Sequence, residues 1–165
     1  MSGARRILVI GGIALAVIGM CHGTWYAVFA EHQALDRMGG SLAAAFTHAA
    51  QRQPAQLAAS LEEYREAKYT HERQVDAHGH WIGLAMLLIV LGVALDRVAA
   101  RERLRLILTI GLLTGAVLFP LAVLLQTMSH GPLPRGLAIA GSGLMIVALA
   151  GTALGLALSP AGEKT

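Results

Sequence analysis

The sequence has little charge and a single cysteine. Charged residues make up 14% of its 165 residues, whereas apolar residues make up 55%. A soluble protein carries about 25% charged residues, so the low charge disfavours a soluble globular domain. Cys21 has no second cysteine to pair with, which excludes an internal disulfide.

Several metal-binding and catalytic signatures are also missing. The patterns CxxC, HExxH and CxxCH do not occur, so nothing supports a zinc ribbon, a zinc protease or a covalently attached haem. No nucleophile–base pair or carboxylate pair lies in a long apolar segment. The chain is therefore more typical of an electron-transfer or accessory subunit than of a stand-alone enzyme.

Four long stretches contain no Asp, Glu, Lys or Arg, namely 7–30, 77–95, 106–134 and 136–162. Each reaches or nearly reaches the ~20 residues that cross about 30 Å of hydrocarbon. The sequence therefore predicts an all-α integral membrane four-helix bundle in a single domain, 1–165. The expected spans are about 7–30, 77–96, 105–129 and 136–159.

Each expected span also carries two glycines four residues apart. The pairs are Gly19–Gly23, Gly79–Gly83, Gly111–Gly115 and Gly151–Gly155. Such pairs let helix backbones approach closely in lipid, so they favour a compact bundle.

Basic residues mark one side of the bundle. Arg5 and Arg6 precede the first span, four arginines from Arg97 to Arg105 separate the second and third spans, and Lys164 follows the fourth. Segment 31–77 instead holds five basic and seven acidic residues. Because Lys and Arg collect in cytoplasmic loops, we expect both termini in the cytoplasm and residues 31–76 outside it. The expected location is a bacterial inner membrane.

The expected outer segment has helical spacing with one break near Gln53–Pro54. Residues at steps of three and four lie on one face of a helix, here called the seam, which would meet the other arm. The first series is Leu35, Met38, Leu42, Ala45 and Ala49, and the second is Leu57, Leu61, Tyr64, Lys68, His71, Val75 and His78. The pattern predicts a projecting helical hairpin between the first two spans. Its charged surface is either solvated or a docking surface for a partner subunit or soluble electron carrier.

All seven histidines fall on the expected outer side. The 15 residues between His80 and Asp96 span roughly 22 Å, which is less than the ~30 Å hydrocarbon core. His78 and His80 should therefore lie within the outer boundary. His22 interrupts the first span roughly 6 Å below that boundary, and His130 follows the third span close to it.

His22, His78, His80 and His130 are the candidate cofactor-binding residues. Imidazole ligates haem iron and transition metals, and an ionisable residue within a membrane indicates function. His78 and His80 are about 200° apart around a helix, so they cannot face one centre; His78 should face the first span and His80 elsewhere, towards His130. Rings near the boundary can alternatively serve as interfacial anchors.

Three patches, "MCHGTW", "DAHGHWIGLAMLL" and "MSHGP", resemble small bacterial four-helix membrane haem-binding proteins of the b-type cytochrome kind. The resemblance implies haem b between helices and electron transfer near the outer membrane face. A quinol or a periplasmic electron carrier would then be the redox partner. No residue role is taken from the resemblance.

Two other functions fit the same residues. One is a copper- or zinc-binding membrane accessory protein, with His22, His78, His80 and His130 as metal ligands. The other is a non-catalytic accessory subunit of a larger membrane complex, without a cofactor and with the hairpin as its docking surface. Beyond these and the lipid bilayer, no nucleic-acid partner is expected.

Overall fold

The computed structural model describes residues 2–159, and these residues are helical with short connections. The elements are α1 (Gly3–Trp25), a π-helical turn (Tyr26–Ala30), α2 (Glu31–Ala50), α3 (Pro54–Ala94), a 3-10 turn (Leu95–Arg97), α4 (Glu102–Leu125) and α5 (Pro132–Ala157). No strand occurs in the described range. Lys164 and the end of the last charge-free stretch lie outside the described residues.

Four helices are long and apolar enough to cross a membrane. Two of them run without interruption through 48 and 44 residues, Gly3–Ala50 and Pro54–Arg97. At 1.5 Å per residue they measure roughly 72 and 66 Å, more than twice a ~30 Å hydrocarbon core. One end of each helix therefore extends beyond the length that a single crossing needs.

The extending ends, α2 and the first half of α3, form an antiparallel helical hairpin. The chain reverses at 51–53, where Arg52 has a φ of 58°. Pro54 opens α3, a position where a proline is tolerated because the first helical N–H groups need no intrahelical partner. Arg37 and Glu63 pair across the hairpin at 3.2 Å, although an exposed pair of this kind adds only about 0–1 kcal/mol.

The α3 side of the seam differs in part from the prediction. Its covered positions include Leu57, Leu61, Tyr64, Ala67, His71, Gln74 and His78, and all of these except Ala67 and Gln74 were predicted. Lys68 and Val75 were predicted to face the seam, but both are exposed, and Ala67 and Gln74 take their places. The prediction was wrong because it preferred an apolar valine to a polar glutamine whose side chain has a specific partner on α1.

The α2 side of the seam is also displaced. Leu35, Leu42 and Ala49 were predicted to face α3, but all three are exposed. Ala34, Ser41 and His48, each one position earlier, take their places, whereas Met38 and Ala45 are covered as predicted. The prediction was wrong at these three positions because it preferred more apolar residues to an alanine, a serine and a histidine.

Three of the four glycine pairs lie in helix–helix contacts. The closest approach of a glycine to another helix's backbone joins α4 and α5, where a Cβ placed on Gly115 would lie 2.8 Å from the carbonyl oxygen of Gly141. Gly79 and Gly83 differ, because no atom lies within 4 Å of either Cβ position. This pair on α3 therefore faces open space.

A polar clasp closes the end of the bundle where the chain begins. Asp96 accepts hydrogen bonds from the Ser2 hydroxyl at 2.6 Å and from Arg5 Nη1 at 3.1 Å. The clasp ties the start of α1 to the end of α3. The candidate histidines lie at the opposite end of the apolar segments.

Candidate functional site

His22 lies between two side chains of α3 that are seven residues apart. Its Nε2 is 2.9 Å from Gln74 Oε1, and its ring meets the Trp81 ring edge-on with centroids 5.1 Å apart. Because an amide oxygen can only accept, Nε2 carries the proton and Nδ1 keeps a lone pair. That Nδ1 is buried and has no hydrogen-bond partner among residues 2–159.

A cavity of about 350 Å³ adjoins His22. Its walls come from α1, α3 and the last turns of α4, and include Trp25, Gln74, Leu121, Leu124 and Leu125. No Asp, Glu, Lys or Arg of the described chain lines it. The cavity is thus mainly apolar, with a histidine and an amide side by side on one wall.

His78 fills a notch on α1. Its Nδ1 donates to the carbonyl oxygen of Gly19 over 2.9 Å, and a Cβ on Gly23 would overlap its ring. The prediction that His78 faces the first span is confirmed. Since the ring is wedged between two helices, it contributes directly to α1–α3 packing.

His80 points away from α1, towards α4. Its ring meets Phe119 edge-on with centroids 4.7 Å apart, and its Nδ1 donates to the carbonyl oxygen of Asp76. Within the described residues, Nε2 of His80 has no hydrogen-bond partner. His80 also lines an open groove of about 430 Å³ with Gly79 and Gly83.

His130 belongs to a third environment, near the connection between α4 and α5. Its ring packs on Tyr69 with centroids 5.1 Å apart. The Tyr69 hydroxyl donates to Gln126 Oε1 over 3.2 Å, and the Arg73 guanidinium lies 5.1 Å from the centre of the same tyrosine ring. His80 and His130 therefore contact different side chains.

Sequence reasoning missed the partners of these histidines. Gln74 and Trp81 hold His22, and Tyr26 meets His71, whose Nδ1 is 2.7 Å from the tyrosine hydroxyl. The spacing of Gln74, His78 and Trp81, at steps of four and three, indicated that all three lie on one face of α3. Gln74 was not assigned to that face because it is polar.

The four candidate histidines are not gathered around one point. Among residues 2–159, no three His, Cys, Asp or Glu side chains are placed to share a metal ion. No family model, curated protein or solved structure matches the chain. The chemistry of the site must therefore be argued from its geometry.

Proposed function

We propose that this protein is a small membrane electron-transfer protein that binds haem b near the outer membrane face, with His80 as the residue that would hold the haem iron. The observation that carries the proposal is the state of the His80 ring. Its Nδ1–H is held by the Asp76 carbonyl oxygen, so Nε2 keeps an available lone pair. Metal-binding histidines typically donate their second ring N–H to a carbonyl or carboxylate in this way.

The groove beside His80 runs along one face of α3, which supplies all of its lining residues, and a flat macrocycle would lie against this face. Gly79 and Gly83 present bare backbone to it, and glycine allows a ligand to approach the main chain closely. The Phe119 ring edge supports the imidazole from α4. These residues would bind and orient the haem, while the bound haem itself supplies one-electron chemistry.

The separation of the histidines favours haem over copper or zinc. A zinc site needs three or four protein ligands, whereas haem iron needs only one or two axial ligands from the protein. His22, His78, His80 and His130 each contact a different set of neighbours. A single, partly buried imidazole such as His80 therefore fits a haem better than it fits a bare metal ion.

The proposed setting is a bacterial inner membrane. Arginines near Arg5 and from Arg97 to Arg105 would face the cytoplasm together with both termini. The hairpin 31–76 would project outside, roughly 35 Å from the boundary if each arm continues as a helix of about 23 residues. Haem at His80 would then lie where a quinol or an external carrier exchanges electrons.

A reduced-minus-oxidised spectrum of the purified protein tests the proposal. The wild type should show a haem b α band, and His80→Gly should lose it because the axial nitrogen is gone. Added imidazole should restore the band in His80→Gly by occupying the vacated position. His130→Ala is the matched control and should keep the band, since His130 packs on Tyr69 away from the groove.

A band that survives His80→Gly without imidazole would rule out His80 as the ligand. Colourless wild-type protein with stoichiometric copper or zinc would instead support the metal-binding alternative, and the haem proposal would fail.

A second candidate function is favoured by the hairpin surface. Leu35, Leu42 and Phe46 are 48%, 36% and 70% exposed, and their spacing of seven and four places them along one face of α2. An exposed apolar stripe of this kind marks interaction surfaces. Colourless, metal-free protein that co-purifies with another membrane subunit would support an accessory role instead of haem binding.

A further inference from the structure

The cavity beside His22 is separate from the groove of His80. It lies between α1, α3 and the end of α4, and His80 does not line it. From its chemistry we infer that this cavity binds the head group of a membrane quinone or quinol. The inference does not require haem, so the two proposals can fail independently.

The polar wall of the cavity matches a quinone ring. Quinone carbonyl oxygens need donors, and the Gln74 amide N–H₂ is a donor on this wall. A quinol hydroxyl needs an acceptor, and Nδ1 of His22 is an acceptor that has no partner among residues 2–159. A turn of the His22 ring towards the cavity would give the buried Nδ1 a partner in the quinol hydroxyl. The same turn would release the Gln74 amide from His22, so that the amide can bind the ligand as well.

The apolar wall favours a neutral aromatic ring over a phospholipid head group. Trp25 presents an aromatic side chain, and Leu121, Leu124 and Leu125 cover the opposite side. A phosphate needs a cation, but no Lys or Arg of the described chain lines the cavity. Its volume of about 350 Å³ lies at the low end of the range of about 300–1,000 Å³ for small-molecule sites. One or two rings therefore fit inside, and the apolar tail would remain in lipid.

The two tryptophans of the chain, Trp25 and Trp81, provide a direct readout. Their ring centroids lie 6.2 Å and 5.1 Å from that of His22. The experiment titrates a decyl-substituted benzoquinone into the purified protein in lipid nanodiscs and follows tryptophan fluorescence. Binding should give saturable quenching. Trp25→Phe should remove most of the quenching amplitude, because Trp25 lines the cavity.

Variants then locate the site. His22→Leu and Gln74→Leu should each weaken quinone binding about tenfold or more, which is the range expected for one lost hydrogen bond. Leu121→Trp should also abolish binding by filling the cavity from α4 while leaving His22 and Gln74 in place. His32→Leu is the matched control, because it makes the same change at an exposed histidine of α2, and it should bind as tightly as the wild type.

Two results would overturn the inference. Quenching that rises linearly with quinone in the wild type would show collisions in the lipid without a site. Unchanged affinity in both His22→Leu and Leu121→Trp would place any site elsewhere. Loss of the haem band in His80→Gly, by contrast, leaves this inference intact.

Discussion

At the residue scale, the contact between His22 and Gln74 organises the histidine end of the bundle. Imidazole is costly in an apolar environment unless its polar atoms are paired. Gln74 pairs one nitrogen over 2.9 Å and Trp81 covers the ring edge-on. One nitrogen remains unpaired in the described chain, so the contact stabilises the ring only in part.

Gln74→Leu should therefore destabilise the protein by about 1–3 kcal/mol, because it leaves the His22 Nε2–H without an acceptor. The double variant His22→Leu/Gln74→Leu should be more stable than the sum of the single changes by at least about 0.5 kcal/mol. Reversible unfolding in mixed micelles measures both values. Strict additivity of the two substitutions would show that the side chains are not energetically coupled.

The individual histidines show how far residue-level prediction reaches. A 200° separation along a helix follows from helix geometry alone, and the structure places His78 against α1 and His80 against α4 accordingly. The partner atoms were not predictable in the same way. Gly19 O, Asp76 O and Gln74 Oε1 become partners only when two helices meet at a particular rotation.

At the element scale, glycines determine how closely the helices approach. Gly115 and Gly141 bring the backbones of α4 and α5 into contact, which increases van der Waals packing in an environment that offers no hydrophobic driving force between helices. The pair Gly79–Gly83 has the same spacing but contacts nothing within 4 Å. Spacing alone thus identifies a small surface, and the neighbouring helices decide whether it is covered.

Gly115→Ala should separate α4 from α5 and lower stability by about 1–3 kcal/mol, because the added methyl group would meet the Gly141 carbonyl at 2.8 Å. Gly143→Ala is the matched control on α5, since no atom lies within 4 Å of its Cβ position. The control should be neutral or slightly stabilising, as alanine favours helix. Unfolding in mixed micelles compares the two variants. Equal effects would contradict the packing argument.

The π-helical turn is the element that the sequence did not predict. Tyr26–Ala30 contains no proline or glycine that would announce it. The turn joins α1 to α2 without a break in the helix. Its extra residue advances the face of α2 that meets α3 by about one position along the chain.

At the scale of the whole molecule, the two ends of the long helices differ in the charged residues that they carry. Arginines surround the clasp of Ser2, Arg5 and Asp96, whereas the hairpin has a slight acidic excess. Because Lys and Arg, and not acidic residues, bias orientation during membrane insertion, the arginines near the clasp are the basis of the proposed orientation. The hairpin and the clasp should therefore lie on opposite sides of one bilayer.

Cysteine labelling tests that orientation in intact cells. The starting variant is Cys21→Ala, because Cys21 is free and exposed. Gln51→Cys, at the hairpin turn, should react with a membrane-impermeant maleimide added outside. Ala99→Cys, an exposed position in the connection before α4, should react only after lysis. The opposite pattern would reverse the proposed topology.

The sequence by itself determined the helical class, the four apolar segments, the hairpin turn near Pro54 and the different directions of His78 and His80. These features depend on helix rise, the thickness of hydrocarbon and the backbone chemistry of proline, which do not change with context. Only the tertiary structure decided that Gln74 meets His22, and that Gly79 and Gly83 stay uncovered beside His80. The reason is that helix rotation and the choice of neighbours arise from the packing of whole helix surfaces against one another.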